Sequence, residues 1–552
     1  MQIMLLLTAE QAARVRGPSD IDPDAVLDPI ALPDGSFALP ASVLDDPVHE
    51  LHHQMLGTLP WGSMPPPEVA MAKRRPRTVG IIGAGFSGTM LAVHLIEMSS
   101  TPLKVILFDK SSSFAKGPAY ATPNAKHLLN VRAANMSAYN SDPEHFVRWL
   151  AGDKPTAAAA RSQDGFVSRG TYGRYLRATL EAACLGAKSG AHVVEIDAEV
   201  SQLSVGKDSV ELVSADGRRF EVGCVALCIG NLPQALPVDS GFTLNDLNRC
   251  VTVPWGSPAL DRIGPHDDVA IIGTGLTMVD VVLDLRSRGH VGSIQAFSRR
   301  GLLPVSHRDV PAYPPFLPSG RPPSTIRALL PLVRREVRSA TERGVDWRSV
   351  LDALRPHTEA LWSNLPATER RRFLRHVRPY WEVHRHRVAP LVGDEIRTLL
   401  GSGTLSVTAA KVVSLAANDR EVTLSVRNRG AGNVRKVTVD WLVNCSGPQL
   451  DYRLIRDPLV NSLFASGLAQ PDELNLGLKI SGDYRLVGRT GTPAAYLFAL
   501  GPPIRGALWE TTAVPDIRKQ CEALACHITD QSTDQSTDAT SQQIARSRVH
   551  DA

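Results

Sequence analysis

Residues 78–97, TVGIIGAGFSGTMLAVHLIE, decide the fold. A short apolar run ends in three glycines, Gly83, Gly85 and Gly88, and an apolar helical pattern follows at once. The first glycine makes the tight turn and the second lets the backbone approach a pyrophosphate. The third lets helix and strand pack closely. The amides of Phe86, Ser87 and Gly88 then open a helix, where unpaired N–H groups and the positive dipole end face an anion. Glycine spacing alone is a weak signal. Here the next strand, LKVILFD (103–109), ends in Asp109, followed by Lys110, about twenty residues on, where an acid accepts ribose hydroxyls.

Outward from this unit the plan repeats. The run DVAIIGTGLTMVDVVLDLRSRG (268–289) carries Gly273 and Gly275 before Thr277, but Met278 stands at the third glycine position, which predicts a slightly wider helix–strand spacing. Its following strand, SIQAFSRRG (293–301), ends in Ser298, Arg299 and Arg300 instead of an acid. Arginine suits a 2′-phosphate and an acid suits a free ribose hydroxyl, so this second unit matches NADPH ahead of NADH. The expectation is an α/β chain with two Rossmann-type dinucleotide-binding domains, for FAD and NADP, and a helical insertion.

The rest of the chain fits around that frame. At 552 residues, with 43% hydrophobic and 21% charged residues, it is long enough for two or three domains. Residues 1–75 form an N-terminal extension of no assigned role. Within it, Thr8 caps a short helical pattern and the Pro-Asp-Gly of ALPDGSFALP turns between two strand-like runs. The expected FAD-binding domain takes residues 76–265 and 401–527, the NAD(P)-binding domain 266–323, and the arginine-rich helical insertion 324–400. Residues 528–552 contain TDQSTDQSTD, a polar repeat too poor in apolar surface to order itself.

Several function classes are disfavoured. A net charge of +4 over this length argues against the basic stripe of a nucleic-acid binder. Met1–Leu7 is too short for a membrane span and lacks the basic start of a signal peptide, so a cytoplasmic location with no membrane partner is expected. The seven cysteines are scattered and read as reduced thiols, with no redox pair beside the first nucleotide turn, which disfavours a disulfide reductase. His376, His384 and His386 lie among arginines that repel a metal, and no metal site is assigned. Those histidines with Arg385 and Arg387 make a cationic helix face, either solvated or turned to an anionic substrate. A homo-oligomer is compatible with the sequence.

Longer strings narrow the class. GPAYATPNAKHLLNVRAANMSAY (117–139), FVSRGTYGRYL (166–176), CIGNLP (228–233), RHVRPYWEVHRHR (375–387) and RGALWETTAVPDIRKQ (505–520) resemble the flavin-dependent monooxygenases that include bacterial FAD-dependent urate hydroxylases and aspartate N-hydroxylases. The resemblance covers about residues 78–525. It implies that His127, Asn130, Met136 and Ser137 pass near the isoalloxazine. Gly230 and Gly447 would close over the two dinucleotides, and Trp509, Glu510 and Thr511 would border the flavin. It also implies FAD reduced by NADPH, capture of dioxygen as a flavin hydroperoxide, and transfer of one oxygen to a small polar substrate. Urate-type hydroxylation comes first on this reading and amino-acid N-hydroxylation second. A non-catalytic flavoprotein sensor or assembly partner is the reading from another class. No catalytic residue is assigned.

Overall fold

The computed structural model describes residues 77–152, 165–236, 248–255, 258–318 and 322–529, together with three short N-terminal strands. Those strands, Met4–Leu7, Ile30–Ala31 and Phe37–Pro40, pair antiparallel, with Ile30 opposite Ala38 across the expected turn. The helix expected after Thr8 and residues 530–552 of the expected tail lie outside the described residues, whereas Ile528 and Thr529, assigned to that tail, continue a helix and Ile528 is buried in the core.

Two mainly parallel sheets organise the chain, and helices lie between and around them. In the first, strands run in the order Arg485–Val487, Pro493–Ala499, Cys224–Leu227, Arg77–Ile82, Leu103–Asp109, His192–Asp197. Only the outermost, Arg485–Val487, runs antiparallel to its neighbour. The central strands are apolar in almost every residue because both faces are covered, one by the helices Phe86–Met98 and Arg169–Gly186 and the other largely by an antiparallel layer, and strands buried on both faces lose their polar alternation. Strand order reverses beside Arg77–Ile82, so its C-terminal end, where Gly83 turns, is a topological switch point and the natural mouth for a ligand. A three-stranded antiparallel layer, Val200–Val205, Val210–Ser214 and Arg219–Val222, packs apolar side chains onto this sheet.

The second sheet runs Cys250–Val251, Trp441–Asn444, Val269–Ile272, Ile294–Ser298, Leu405–Ala417, Val422–Asn428, Val434–Val439. This corrects the expected boundaries, which gave residues 76–265 and 401–527 to the first unit. The four strands between 405 and 444, and Cys250–Val251, hydrogen-bond into the second sheet. Trp441–Asn444 lies parallel to Val269–Ile272, with Val269 opposite Trp441 and Ile272 opposite Asn444. The physical reason is that a four-residue apolar strand buried on both faces suits either sheet, and its neighbours fix the choice. Here the Trp441 indole donates to the Asp267 carboxylate at 2.7 Å and pins that strand to the second unit.

The region 324–400 is helical as expected, with helices Ile326–Glu342, Trp347–Leu354, Thr358–Asn364, Ala367–His376, Arg378–Arg385 and Pro390–Gly401. Thr325 caps the first by accepting from the Ala328 amide at 3.2 Å. Ile326, Leu329, Leu330, Val333 and Val337 fall on one face at helical spacing. The last helix belongs with the second sheet: Val392, Ile396 and Leu399 sit in its core, making it the crossover between Ile294–Ser298 and Leu405–Ala417. Among the described residues no helix is long and apolar enough to cross a membrane.

Candidate functional site

At the first switch point two of the three glycines serve the fold and one leaves room. Gly83 has φ +101°, and a Cβ there would sit 2.3 Å from the Cys228 carbonyl oxygen. A Cβ on Gly88 would sit 1.9 Å from the Gly83 carbonyl oxygen. Gly85, in contrast, has φ −75°, which any residue adopts, and a Cβ there would meet only the Gly117 Cα at 3.9 Å. It starts the helix Phe86–Met98, whose first-turn amides have no partner within the helix. Gly230, just past the strand Cys224–Leu227, has φ +67° and open space where a side chain would point. Asp109 braces the turn: one carboxylate oxygen accepts from the Ala84 amide at 2.9 Å, the other from the Ser111 amide at 2.8 Å and hydroxyl at 2.5 Å. Lys110 turns outward to Glu199, 2.9 Å away.

The second switch point repeats this geometry almost atom for atom. The Gly273 amide donates to Phe297 as the Gly83 amide donates to Phe108, both at 2.8 Å. Gly273 has φ +106°, and its absent Cβ would lie 2.1 Å from the Cys445 carbonyl oxygen. Gly275 and Gly447 have nothing within 4 Å of a built Cβ. Met278, in place of the third glycine, is fully buried in the core beside the sheet. Thr277 lies in the first turn of Leu276–Ser287. Thr274 bridges the turn to the next strand end, its hydroxyl 2.9 Å from Ser298 Oγ and 2.6 Å from the Leu302 carbonyl. Ser298 accepts from the Gly301 amide at 3.0 Å. Beside it Arg299 is exposed, whereas Arg300 donates to the Tyr380 hydroxyl at 3.1 Å and lies 5.0 Å from its ring centroid.

The strip 117–139 runs between the two units and ties them together. His127 is buried, with Nδ1 2.7 Å from the Thr122 hydroxyl and Nε2 2.9 Å from the Asp280 carbonyl. A carbonyl only accepts, so Nε2 donates and Nδ1 takes the threonine proton, and neither ring nitrogen is left for a cofactor. Asp280 itself lies 2.8 Å from Arg169, with burial pushing its carboxyl up and the guanidinium opposing that. The Asn130 carbonyl accepts from His307 Nε2 at 2.9 Å. Met136 is core, and Ser137 donates to the Asp142 carbonyl at 2.5 Å while its own carbonyl accepts from Arg518 at 2.8 Å. Of the residues the resemblance places beside a flavin, these four are thus engaged mainly in holding the strip.

The His307 contact gives a pH prediction. Burial is the largest cause and lowers its pKa to about 4; the bond to Asn130, next in size, opposes this, and Arg387 and Arg132 add to the lowering. The unfolded chain protonates near 6.5 and the folded one only near 4, so stability present above pH 6.5 falls as pH drops and levels off near 4. The expected loss is about 1 to 2 kcal/mol after allowance for partial exposure. A thermal-midpoint series from pH 7 to 4 should show it, and His307→Gln should flatten it; an unchanged slope would remove His307 as the cause.

The C-terminal segment meets the helical insertion. Trp509 packs against Trp362 and Phe373, ring centroids 4.8 and 5.3 Å away, and the Trp362 indole donates to the Gly506 carbonyl at 2.9 Å. Glu510 lies 3.1 Å from Arg385, and Thr511 donates to Gln520 at 2.9 Å. The Arg505 guanidinium lies 4.4 Å from the Trp509 ring centroid and bonds Glu382 at 3.3 Å. The cationic helix face is therefore not simply solvated. Arg387 is buried against Asp352 at 3.0 Å, and His386 is pushed down to about 3 by burial and by Arg385, Arg505 and Arg355. His384 bonds the Tyr380 carbonyl and His376 is exposed. Arg355, which no motif flagged, joins this cluster together with Arg505 and Asp516 of the string 505–520, because the fold brings three distant segments together.

The comparisons fall in line with this geometry. A family model described as FAD-NAD(P)-binding matches residues 80–232, the span from the first glycine turn to the strand end carrying Gly230. No curated protein matches the chain by sequence. Among solved structures, an ornithine N-hydroxylase from Kutzneria sp. 744 aligns with TM-score 0.56 at 16% identity, covering 83% of this chain and 100% of that one. The ornithine hydroxylase of Pseudomonas aeruginosa aligns with TM-score 0.58 at 16% identity over 83% and 99%. An L-lysine 6-monooxygenase from Pseudomonas syringae aligns with TM-score 0.54 at 13% identity over 82% and 99%. The fold is α/β with two Rossmann-like sheets and helical additions, and its first unit is of the FAD/NAD(P)-binding kind.

Proposed function

We propose that the chain is an FAD-dependent, NAD(P)H-driven monooxygenase that hydroxylates the nitrogen of an amine or amino acid. One observation carries the redox half of this: two glycine turns of matching geometry at the mouths of two mainly parallel sheets, each with an open second glycine and an open glycine just past the end of the neighbouring strand. Residues at the first fit FAD. Gly85 and Gly230 would leave its pyrophosphate and ribose room, the helix Phe86–Met98 presents its amide end, and Asp109 would accept from its ribose hydroxyls. At the second, Gly275, Gly447 and Arg299 fit a phosphorylated nicotinamide dinucleotide. Bound FAD would supply the redox and oxygen chemistry, while the protein orients the partners and excludes water.

Choice of substrate rests on different support. Three solved structures sharing the fold are named as hydroxylases or monooxygenases of ornithine and lysine, which favours nitrogen over the ring carbon of urate.

The test is NADPH-dependent oxygen uptake by the FAD-loaded protein with ornithine, lysine, cadaverine, aspartate and urate in turn, with product identified by mass. A hydroxylamine matched one-to-one with oxygen consumed is expected for an amine. Hydroxylated urate would restore the alternative, and peroxide equal to the oxygen consumed with every compound would sink the monooxygenase reading.

A further inference from the structure

A cavity of about 330 Å³ lies inside the helical insertion, away from both glycine turns. Leu329, Leu330, Val333 and Val337 of the amphipathic helix Ile326–Glu342 form one wall, and Trp347, Trp362, Trp381 and Trp509 form much of the rest. That is space for a small organic molecule, lined by hydrocarbon and indole instead of the polar groups that hold water. The helix face explains its own exposure: these leucines and valines are half-buried, packed toward a space that the other insertion helices do not fill.

A cationic cluster adjoins it through Trp509. Trp509 lines the cavity and carries the Arg505 guanidinium 4.4 Å from its ring centroid, and Arg378, Arg385 and Arg355 stand in the charged surroundings of Arg505 and of His386. Arg355 Nη2, Arg378 Nε, Arg385 Nε, Arg505 Nε and the Trp381 indole N–H are buried without a hydrogen-bond partner among the described residues, and the acceptors Glu510 Oε1 and Asp516 Oδ2 of the same cluster are buried without one as well. Arg505 is nine-tenths buried. Against the guanidinium groups of Arg355, Arg378, Arg385 and Arg505 stand the carboxyls of Glu382, Glu510 and Asp516, the last raised by burial toward its neutral form. The cluster thus holds an excess of buried donors and positive charge, which is costly unless an anionic acceptor answers it.

We propose that this cavity binds an organic acid with an apolar body, the body against the tryptophans and the carboxylate toward Arg355, Arg378 and Arg505. The proposal stands whether or not the chain is a monooxygenase, since it concerns binding alone.

Calorimetric titration of the FAD-loaded protein tests it, with decanoate and 4-phenylbutyrate, both below any micelle concentration, and with decanol, 4-phenylbutanol and succinate as counterparts. At least one of the two acids should bind saturably at one site, at least 10-fold more tightly than its alcohol, and succinate should not compete. Val333→Trp/Val337→Trp, which fills the cavity from the half-exposed helix, should abolish acid binding. Arg355→Gln should weaken the acid at least 10-fold and leave the alcohol unchanged, and this arm decides if the double variant does not fold. Failure of both acids to bind, equal affinity for acid and alcohol, or acid binding that survives the filled cavity would each overturn the proposal. So would a dimer that dissociates when the cavity is filled while neither acid binds, because the occupant would then be a second copy of the chain.

Discussion

A Gly85→Val variant should purify folded and colourless, whereas Gly83→Ala and Gly88→Ala should yield little folded protein. The motif gives all three glycines equal weight, but the structure separates them. At Gly83 any side chain faces both a left-handed backbone, φ +101°, and a carbonyl oxygen 2.3 Å from the new Cβ. The conformational part alone costs about 1 to 2 kcal/mol. The overlap is with backbone that is itself hydrogen-bonded in the sheet, since the Cys228 amide donates to Ile82 at 2.8 Å. Relieving it means separating Arg77–Ile82 from Cys224–Leu227, and losses of about 4 kcal/mol or more follow when core packing is forced apart. Gly88 meets the same difficulty against the Gly83 carbonyl oxygen, 1.9 Å away. At Gly85 the backbone is ordinary and the nearest neighbour is at van der Waals distance, so a valine there obstructs only what approaches from outside. Circular dichroism, thermal melting and visible flavin absorbance read the two effects separately. The mirror experiment is Gly275→Val, which should keep its flavin and lose reduction by the nicotinamide donor. Full flavin content in folded Gly85→Val would show that the pyrophosphate does not cross this turn.

How much of this was legible in the sequence differs element by element. The two glycine turns were, because Gly83, Gly88 and Gly273 answer steric demands within one strand–turn–helix unit and its neighbouring strand, and Gly83 with Cys228 repeats as Gly273 with Cys445. Sheet membership of Leu405–Ala417 and Trp441–Asn444 was not, because an apolar strand pattern says it is buried without saying beside which neighbour. The resemblance puts His127 near a flavin, whereas both of its ring nitrogens are engaged, one by nearby Thr122 and the other by Asp280, a long-range pairing with no local signature. The spacing makes Asp109 a ribose acceptor, and Asp109 also braces the glycine turn through Ala84, a role that spacing alone does not reveal. The arginine cluster was half legible: Arg385 stood in a cationic run, but its buried partner Glu510 lies more than a hundred residues away.

Arg299→Ala should raise the apparent KM for NADPH roughly 10- to 150-fold and leave that for NADH nearly unchanged, and Arg300→Ala should shift the preference less. The sequence offered the two arginines as equals, and the structure distinguishes them. Arg300 is drawn toward the insertion, donating to the Tyr380 hydroxyl at 3.1 Å and covering its ring at 5.0 Å. Arg299 is exposed beside Ser298, at the strand end where an NADH enzyme would carry an acid. A charge-assisted bond from guanidinium to a 2′-phosphate contributes about 1.5 to 3 kcal/mol, and each 1.36 kcal/mol is tenfold, which sets the expected range. The effect should fall on KM and not on kcat, because the phosphate is held alike before and during hydride transfer. It should also shrink with added salt, since Arg299 faces solvent and exposed charges are screened within about 8 Å at physiological ionic strength. Arg299→Lys should recover part of the affinity, because a point charge still attracts the phosphate without the two-pronged geometry. Steady-state kinetics of the three variants with both donors at two salt concentrations test this. A wild type that prefers NADH, or a preference unmoved in Arg299→Ala, would mean that the second site does not select its donor through this residue.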